Sequence, residues 1–320
     1  MIFLYFAIFV SSCILLIFSG TWVVSSLTRI ARFLRWKEFI VAFILMAFAT
    51  SIPELFVGIT SAISKIPQLS FGDIMGANII DLSLAIGLVV LFLGSIELER
   101  STTRRNSIII AIIAFLPLLL VLDGDLSRID GIVLLLAFAL YMTWLFERKE
   151  MFSKVYNGHK TLAHDLVSIK IFLKSLAVFF GSILLLLAGA EGIIFSASYF
   201  AGLIGLPLGV IGIFLVGIGT TLPEMYFSIK AGKSGHEGMI LGNLMGSVVI
   251  NSTLVLGIVA LIHPITIVDF SPYSIARGFL LITVIFFLFI SKTHERISRK
   301  EAIILIGIYL LFLITEFLFR

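Results

Sequence analysis

Ala49-Thr50-Ser51-Ile52-Pro53-Glu54 and Gly219-Thr220-Thr221-Leu222-Pro223-Glu224 are one pattern written twice, each inside a long apolar run and 170 positions apart. The same shift carries Gly72, Met75, Gly76, Ile80, Leu84 and Gly87 onto Gly242, Met245, Gly246, Ile250, Leu254 and Gly257. The register holds without a gap from about residue 20 to 90. Leu- and Gly-rich runs share apolar residues by chance. A threonine, a second hydroxyl, a proline and a glutamate in fixed order are a far stronger sign of duplication.

The composition sets the solvent in which the two copies fold. Of 320 residues, 60% are hydrophobic and 13% charged, with mean hydropathy +1.17. A soluble domain is nearer half apolar and a quarter charged, so a water-soluble enzyme and a disordered chain are both excluded. Cys13 is the only cysteine, which excludes a disulfide scaffold. A bilayer core needs about 20 apolar residues per helix. Such runs fall near 2–27, 38–62, 71–95, 106–122, 130–146, 171–200, 207–231, 239–262, 273–291 and 301–318. They are continuous, whereas a β-barrel alternates with period two. The first run begins at Met1 without a basic leader and reads as a helix, not a signal peptide.

The net charge of +4 does not point to nucleic acid, because the basic residues sit in short gaps between the runs. All but four of the 23 Lys and Arg lie in the connections after runs 1, 3, 5, 7 and 9, the exceptions being Lys65, Arg128, Arg277 and Arg320. The positive-inside bias places those connections in the cytoplasm and both termini outside. Five spans per copy is an odd number, so the second copy enters the membrane upside down. The expected fold is therefore an all-α integral membrane protein of ten transmembrane helices. Residues 1–150 form the first five-helix repeat, 151–170 a cytoplasmic connector and 171–320 the inverted second repeat.

Inverted repeats build a substrate site at the midplane, where interrupted helices from both halves meet. Proline lacks an N–H and crowds the carbonyl four residues back. Pro53 and Pro223 are thus expected to interrupt helices 2 and 7 and to free carbonyls near Ala49 and Gly219. Glu54 and Glu224 follow directly, although a carboxylate at a helix centre costs roughly 2.5–3.5 kcal/mol on insertion scales. Helices 3 and 8 are expected to be discontinuous too, and to turn polar faces toward these breaks. Asp73, Ala77 and Asp81 stand at i, i+4 and i+8, as do Asn243, Ser247 and Asn251. Asp73 lies eight residues before Asp81, about 12 Å along a helix, and is expected at the outer mouth of the pathway. No Lys, Arg or His lies at the depth of Glu54, Asp81 and Glu224, so bound cations or protons must compensate them. Carbonyl, hydroxyl and carboxylate oxygens are the donors that hard cations such as Ca²⁺ select.

These residues resemble the calcium/cation antiporter superfamily, in particular its prokaryotic sodium/calcium exchanger branch. The likeness covers the whole chain and rests on two elements in each half, Ala49–Glu54 with Gly219–Glu224 and Gly72–Ala77 with Gly242–Ser247. It implies a secondary-active antiporter that moves Ca²⁺ against Na⁺ or H⁺ by alternating access. It further implies that Glu54, Glu224, Thr50 and Thr220 hold Ca²⁺. Backbone oxygens of Ala47 and Gly217, hydroxyls of Ser51, Thr221 and Ser247, and the polar groups of Asp81 and Asn251 would serve counter-ion sites. No cofactor is implied; the partners are the transported ions and the bilayer of the cell membrane, and a monomer suffices. Four departures stand out. Asp81 and Asn251 exchange the Asn and Asp of the usual pattern, Ala77 replaces a Ser, Asp73 replaces an Asn, and Ala49 replaces the first Gly. Two rival classes are a cation channel and an intramembrane aspartyl protease. The protease would need its two Asp on different helices, and would leave Glu54 and Glu224 unexplained.

Overall fold

The computed structural model describes residues 1–33, 49–97, 100–147, 169–233, 237–267, 269, 271–293 and 296–318. Its helices, in chain order, are α1 (Ile2–Phe33), α2 (Ala49–Ile63), α3 (Pro67–Leu93), α4 (Arg100–Leu120) and α5 (Arg128–Glu147). The second set is α6 (Ile169–Ile204), α7 (Leu208–Lys233), α8 (Glu237–Val249, continuing through Ile250–Val255 into Leu256–Ile262), α9 (Ser271–Thr293) and α10 (Arg299–Leu318). Eight of these segments are long and apolar enough to cross a membrane, and Thr50–Ile63 and Ser107–Asp123 are shorter apolar helices. The fold is all-α apart from two short antiparallel ribbons.

Turn chemistry fixes where the helices stop. Pro67 opens α3 at its first turn, where a missing N–H removes nothing. Gly205, at φ 76, ends α6 in the left-handed conformation, and the next amide, Leu206, closes back onto the Ala201 carbonyl. Ser127 and Asp130 cap the start of α5 reciprocally. The Ser127 amide and hydroxyl donate to Asp130 Oδ2 at 2.8 and 2.7 Å, and the Asp130 amide donates back to the Ser127 hydroxyl.

The ribbons tie the two halves of the chain together in a reciprocal way. Strand β1 (Ser95–Glu97), which follows α3, pairs with β4 (Arg296–Ser298), which precedes α10. Strand β3 (Ile265–Thr266), which follows α8, pairs with β2 (Asp125–Leu126), which precedes α5. Shifting by 170 residues turns one ribbon into the other within about one position. Glycine contacts repeat the pattern. Gly87 of α3 sits against Ala302 and Ile306 of α10, and Gly257 of α8 sits against Gly131 and Leu135 of α5.

α3 and α8 occupy the centre, with 72% of their apolar stretch buried against 17% for α6. The outward faces of α1 and α6 are apolar, including Phe3, Phe18, Trp22, Phe180 and Leu184, as lipid contact requires. The core divides into two apolar clusters. One gathers side chains of α1, α2, α6 and α7 around Leu16, Val57, Ile193 and Val216; the other gathers α3–α5 with α8–α10 around Ile79, Ile86, Val248 and Leu256. α2, α3 and α7 contribute to both clusters and so run along their boundary.

The expected interruptions take a different form. α2 and α7 run through Pro53 and Pro223 as helix. The irregularities are π turns at Asp81–Ala85 in α3, Gly212–Val216 in α7 and Ile250–Val255 in α8. The physical reason is local. A helix packed on all sides by other helices tolerates the one carbonyl that proline frees, whereas a π turn absorbs an extra residue while the chain stays helical. The turns in α3 and α8 are again 170 positions apart to within one residue, and they contain Asp81 and Asn251.

The first half of α7 lies against α3 backbone to backbone. A Cβ placed on Gly72 would overlap the Gly209 carbonyl, and one on Gly76 would overlap the Ile213 carbonyl. Small residues allow such an approach between helices in lipid. Gly76→Ala is therefore expected to destabilise the protein by about 1–3 kcal/mol through overpacking. Gly278, whose Cβ would meet nothing within 4 Å, serves as the control. Thermal unfolding in detergent should show a lower Tm for Gly76→Ala and little change for Gly278→Ala; equal midpoints would count against the interlock.

Candidate cation site

α2, α3, α7 and α8 bring four carboxylates into one buried region. Glu54, Asp73, Asp81 and Glu224 are each 0% exposed, and Thr50, Ser51, Thr220, Thr221, Asn243, Ser247 and Asn251 are buried around them. Two hydrogen bonds related by the 170-residue shift hold the frame. Thr50 Oγ1 donates to Asn243 Oδ1 at 2.9 Å, and Thr220 Oγ1 donates to Asp73 Oδ1 at 2.9 Å. Each bond joins a threonine one turn before a proline to the first polar residue on the face of the opposing central helix. Asn243 is held further by its Nδ2, 3.2 Å from Ser228 Oγ and 3.4 Å from the Glu224 carbonyl.

A second polar group surrounds Ser247. Ser51 Oγ lies 3.3 Å from Ser247 Oγ, and Asn251 Nδ2 donates to the same oxygen at 3.2 Å. Asp81 approaches Ser247 from α3. One turn from Asp81, Asn78 Nδ2 donates to Ser252 Oγ at 2.8 Å and ties α3 to α8. The sequence reading passed over Asn78, Ser252 and Ser228. Their signal was present, since each is a polar side chain in an apolar run, but nothing in their spacing named a partner.

The carboxylates lack compensation. Hydroxyls of Thr220, Ser247 and Thr50 lie beside Glu54, Asp81 and Glu224, but no well-formed hydrogen bond reaches either oxygen of these three or Oδ2 of Asp73, and all are buried. They also repel one another: Glu54 feels the charges of Asp73 and Asp81, and Glu224 those of Glu54 and Asp81. Among the described residues no Lys, Arg or His is buried. Leaving a buried charge unpaired is strongly destabilising, so this arrangement calls for cations. Among the described residues no three His, Cys, Asp or Glu side chains converge tightly enough to chelate one ion alone. An ion here would combine carboxylate with hydroxyl and backbone oxygens, which suits a hard cation.

Several expectations need correction. Asp73 is not at an outer mouth. Packing of Gly72 and Gly76 against α7 seals it inside, where it meets Thr220 and Glu54. The Gly217 carbonyl accepts the Thr221 hydroxyl at 2.5 Å, which leaves its second lone pair. Ala47 and most of the 151–170 connector lie outside the described residues.

The profile of the family described as sodium/calcium exchanger protein matches residues 4–147 and 174–318. The chain belongs to the sodium/calcium exchanger family. It is a multi-pass membrane protein and a secondary transporter exchanging Ca²⁺ for another cation, not an enzyme. Among curated proteins it is 27% identical to the sodium/calcium exchanger MaX1 of Methanosarcina acetivorans, over 98% of each chain. It is 24% identical to the inner membrane protein YrbG of Escherichia coli, over 96% of this chain and 95% of that one. A solved structure of the sodium-calcium exchanger NCX_Mj, soaked with 2.5 mM Na⁺ and 0.1 mM Ca²⁺, superposes with a TM-score of 0.63 at 25% identity, covering 97% of this chain and 98% of the other.

For an exchanger with this centre, the mirrored glutamates should control how Ca²⁺ stabilises the fold. Ligand at 100 times its Kd stabilises by about 2.7 kcal/mol, so Ca²⁺ should raise the Tm of the wild type. Glu54→Gln and Glu224→Gln each remove a buried charge. Both variants are expected to remain folded without Ca²⁺ and to lose most of the Ca²⁺-induced rise. A full rise in either variant would remove that glutamate from the site.

Proposed function

We propose that the exchanger holds Ca²⁺ between Glu54 and Glu224 with backbone oxygens at Thr50 and Thr220, and moves it across the cell membrane by alternating access against Na⁺ or H⁺. The observation that carries the reading is the set of buried, unpartnered carboxylate oxygens framed by the paired Thr50–Asn243 and Thr220–Asp73 bonds. Ser51, Thr221, Ser247, Asp81, Asn251 and the backbone oxygens of Ala47 and Gly217 are the counter-ion residues on this reading.

The architecture that goes with it is ten spans in two inverted halves, residues 1–150 and 171–320, joined by the 151–170 connector, with both termini outside and one chain sufficient. Three observations support the halves. The matched segments begin at residues 4 and 174, 170 positions apart. The β1–β4 and β2–β3 ribbons exchange under the same shift. The π turns of α3 and α8 do so as well.

Proteoliposomes loaded with Na⁺ or acidified inside would test the coupling. Uptake of ⁴⁵Ca²⁺ should rise severalfold above the no-gradient control under one of the two gradients. Uptake insensitive to both would favour a channel. A second test uses the convergence of Asp81 and Asn251 on Ser247. Asp81→Asn alone should lower the exchange rate, and adding Asn251→Asp should restore much of it, because a carboxylate from either helix reaches the same hydroxyl. Purely additive losses in this double-mutant cycle would count against the geometry.

A further inference from the structure

Glu191 is the exception on the apolar outward face of α6, far from the central site in character. It is the one acidic residue of that helix, and between Lys174 and Ile204 no other side chain is charged. α6 lies along α1, with Gly192 packed on Ser12, Gly189 on Leu16 and the Tyr199 ring stacked on Tyr5 at 3.5 Å between centroids. The two helices are therefore antiparallel, and Glu191 lies level with Ser11 and Ser12. These serines stand midway along the apolar stretch Ile2–Val23, which is the interior of the bilayer. Lys174 is about 25 Å further along α6 and out of reach.

The carboxyl group does not point into the protein. Glu191 is exposed, on the same side as Leu184 and Phe195, which are 67% and 55% exposed. Among the described residues nothing pairs with it. An ionisable group turned to lipid at this depth is costly and marks a contact. Polar side chains in apolar helices are satisfied by hydrogen bonds across a helix interface.

α1 carries a matching donor. Ser11 is exposed at the level of Glu191, and its hydroxyl is bonded only to the Ile8 carbonyl of its own helix, at 2.9 Å. Ala7, Ile14 and Phe18 continue its exposed face, as Leu184, Ala188 and Phe195 continue that of Glu191. The α1–α6 pair thus presents one surface with a hydroxyl on one helix and a carboxyl on the other. Two copies of one chain share a topology, so their two-fold axis is the membrane normal and depth is preserved. About that axis the surface meets itself isologously, α1 on the partner's α6. Ser11 then faces Glu191 of the partner subunit. The 170-residue shift turns this pair into Gly181 and Thr21. Thr21 is exposed, and a Cβ on Gly181 would meet nothing within 4 Å, so the second pair sets a hydroxyl against an open position.

We propose that the exchanger associates as a two-fold dimer through the lipid-facing surface of α1 and α6, with each Glu191 carboxyl hydrogen-bonded to the partner's Ser11. As a neutral acid the carboxyl both donates to and accepts from that hydroxyl. Each copy keeps a complete cation site, so the association is independent of the coupling ion.

The test reconstitutes the full chain in lipid vesicles at falling protein-to-lipid ratios and counts subunits by single-molecule photobleaching. The wild type should be mostly dimeric. Glu191→Leu should weaken association at least tenfold, and Glu191→Gln, which keeps a donor and an acceptor, should retain most of it. The Ca²⁺-induced rise in Tm should persist in both variants and show that they are folded. Phe18→Cys and Ala188→Cys, carried on differently tagged chains, locate the face. Oxidation should join the two chains in a mixed disulfide, while Cys13 is buried and takes no part. A wild type that stays monomeric at every ratio would overturn the proposal. A dimer indifferent to Glu191→Leu, or one giving no mixed disulfide, would overturn it too by placing the contact on another face.

Discussion

Everything at the centre of this protein follows from carboxylates buried where, among the described residues, no cationic side chain accompanies them. A charged group in a low-dielectric interior is tolerated only with a partner. Here the partners supplied by the chain are hydroxyls and amides, enough to fix the geometry but not to neutralise Glu54, Asp73, Asp81 and Glu224. The missing charge has to arrive from solution. Stability and substrate binding are then the same free energy seen from two sides, since an ion that binds the folded form alone stabilises it.

On the repeat reading, duplication explains why the frame is paired, and divergence explains why it is not symmetric. The Thr50–Asn243 and Thr220–Asp73 bonds are one interaction used twice, with an amide in one copy and a carboxylate in the other. Around them the halves have separated. Ser247 gathers Ser51 and Asn251, while its counterpart Ala77 faces the α7 backbone at Gly217.

Much of this was legible in the sequence, for reasons that can be stated residue by residue. Apolar run length is set by the bilayer, which made the helices visible. The shift of 170 was visible because Thr, Pro and Glu are rare together in such runs. The need of Glu54 and Glu224 for bound cations or protons followed from the lack of any Lys, Arg or His at their depth in the apolar runs. Asp73 was misplaced because distance along a helix says nothing about what packs over it, and the glycine contacts that seal it involve α7, more than 130 residues away. The continuity of α2 and α7 through their prolines was missed on similar grounds. Proline removes one hydrogen bond, but whether the helix breaks depends on the neighbours that enclose it. The π turns left no compositional mark.

The same electrostatics bears on why the transporter exchanges ions instead of leaking them. On the alternating-access reading, the site must pass through a state closed to water on both sides. With cations bound, and protons on the carboxylates they leave uncompensated, the cluster crosses that state close to neutral. Unloaded, the mutually repelling charges would have to be desolvated with nothing to offset them, and each buried ion carries a penalty of several kcal/mol even after relaxation. An unloaded return at several kcal/mol above the loaded one is slower by orders of magnitude, since every 1.36 kcal/mol is a factor of ten in rate. Obligatory exchange then needs no separate gate or sensor. It is a consequence of burying Glu54 and Glu224 where each feels the other's charge and where, among the described residues, no lysine or arginine is buried with them.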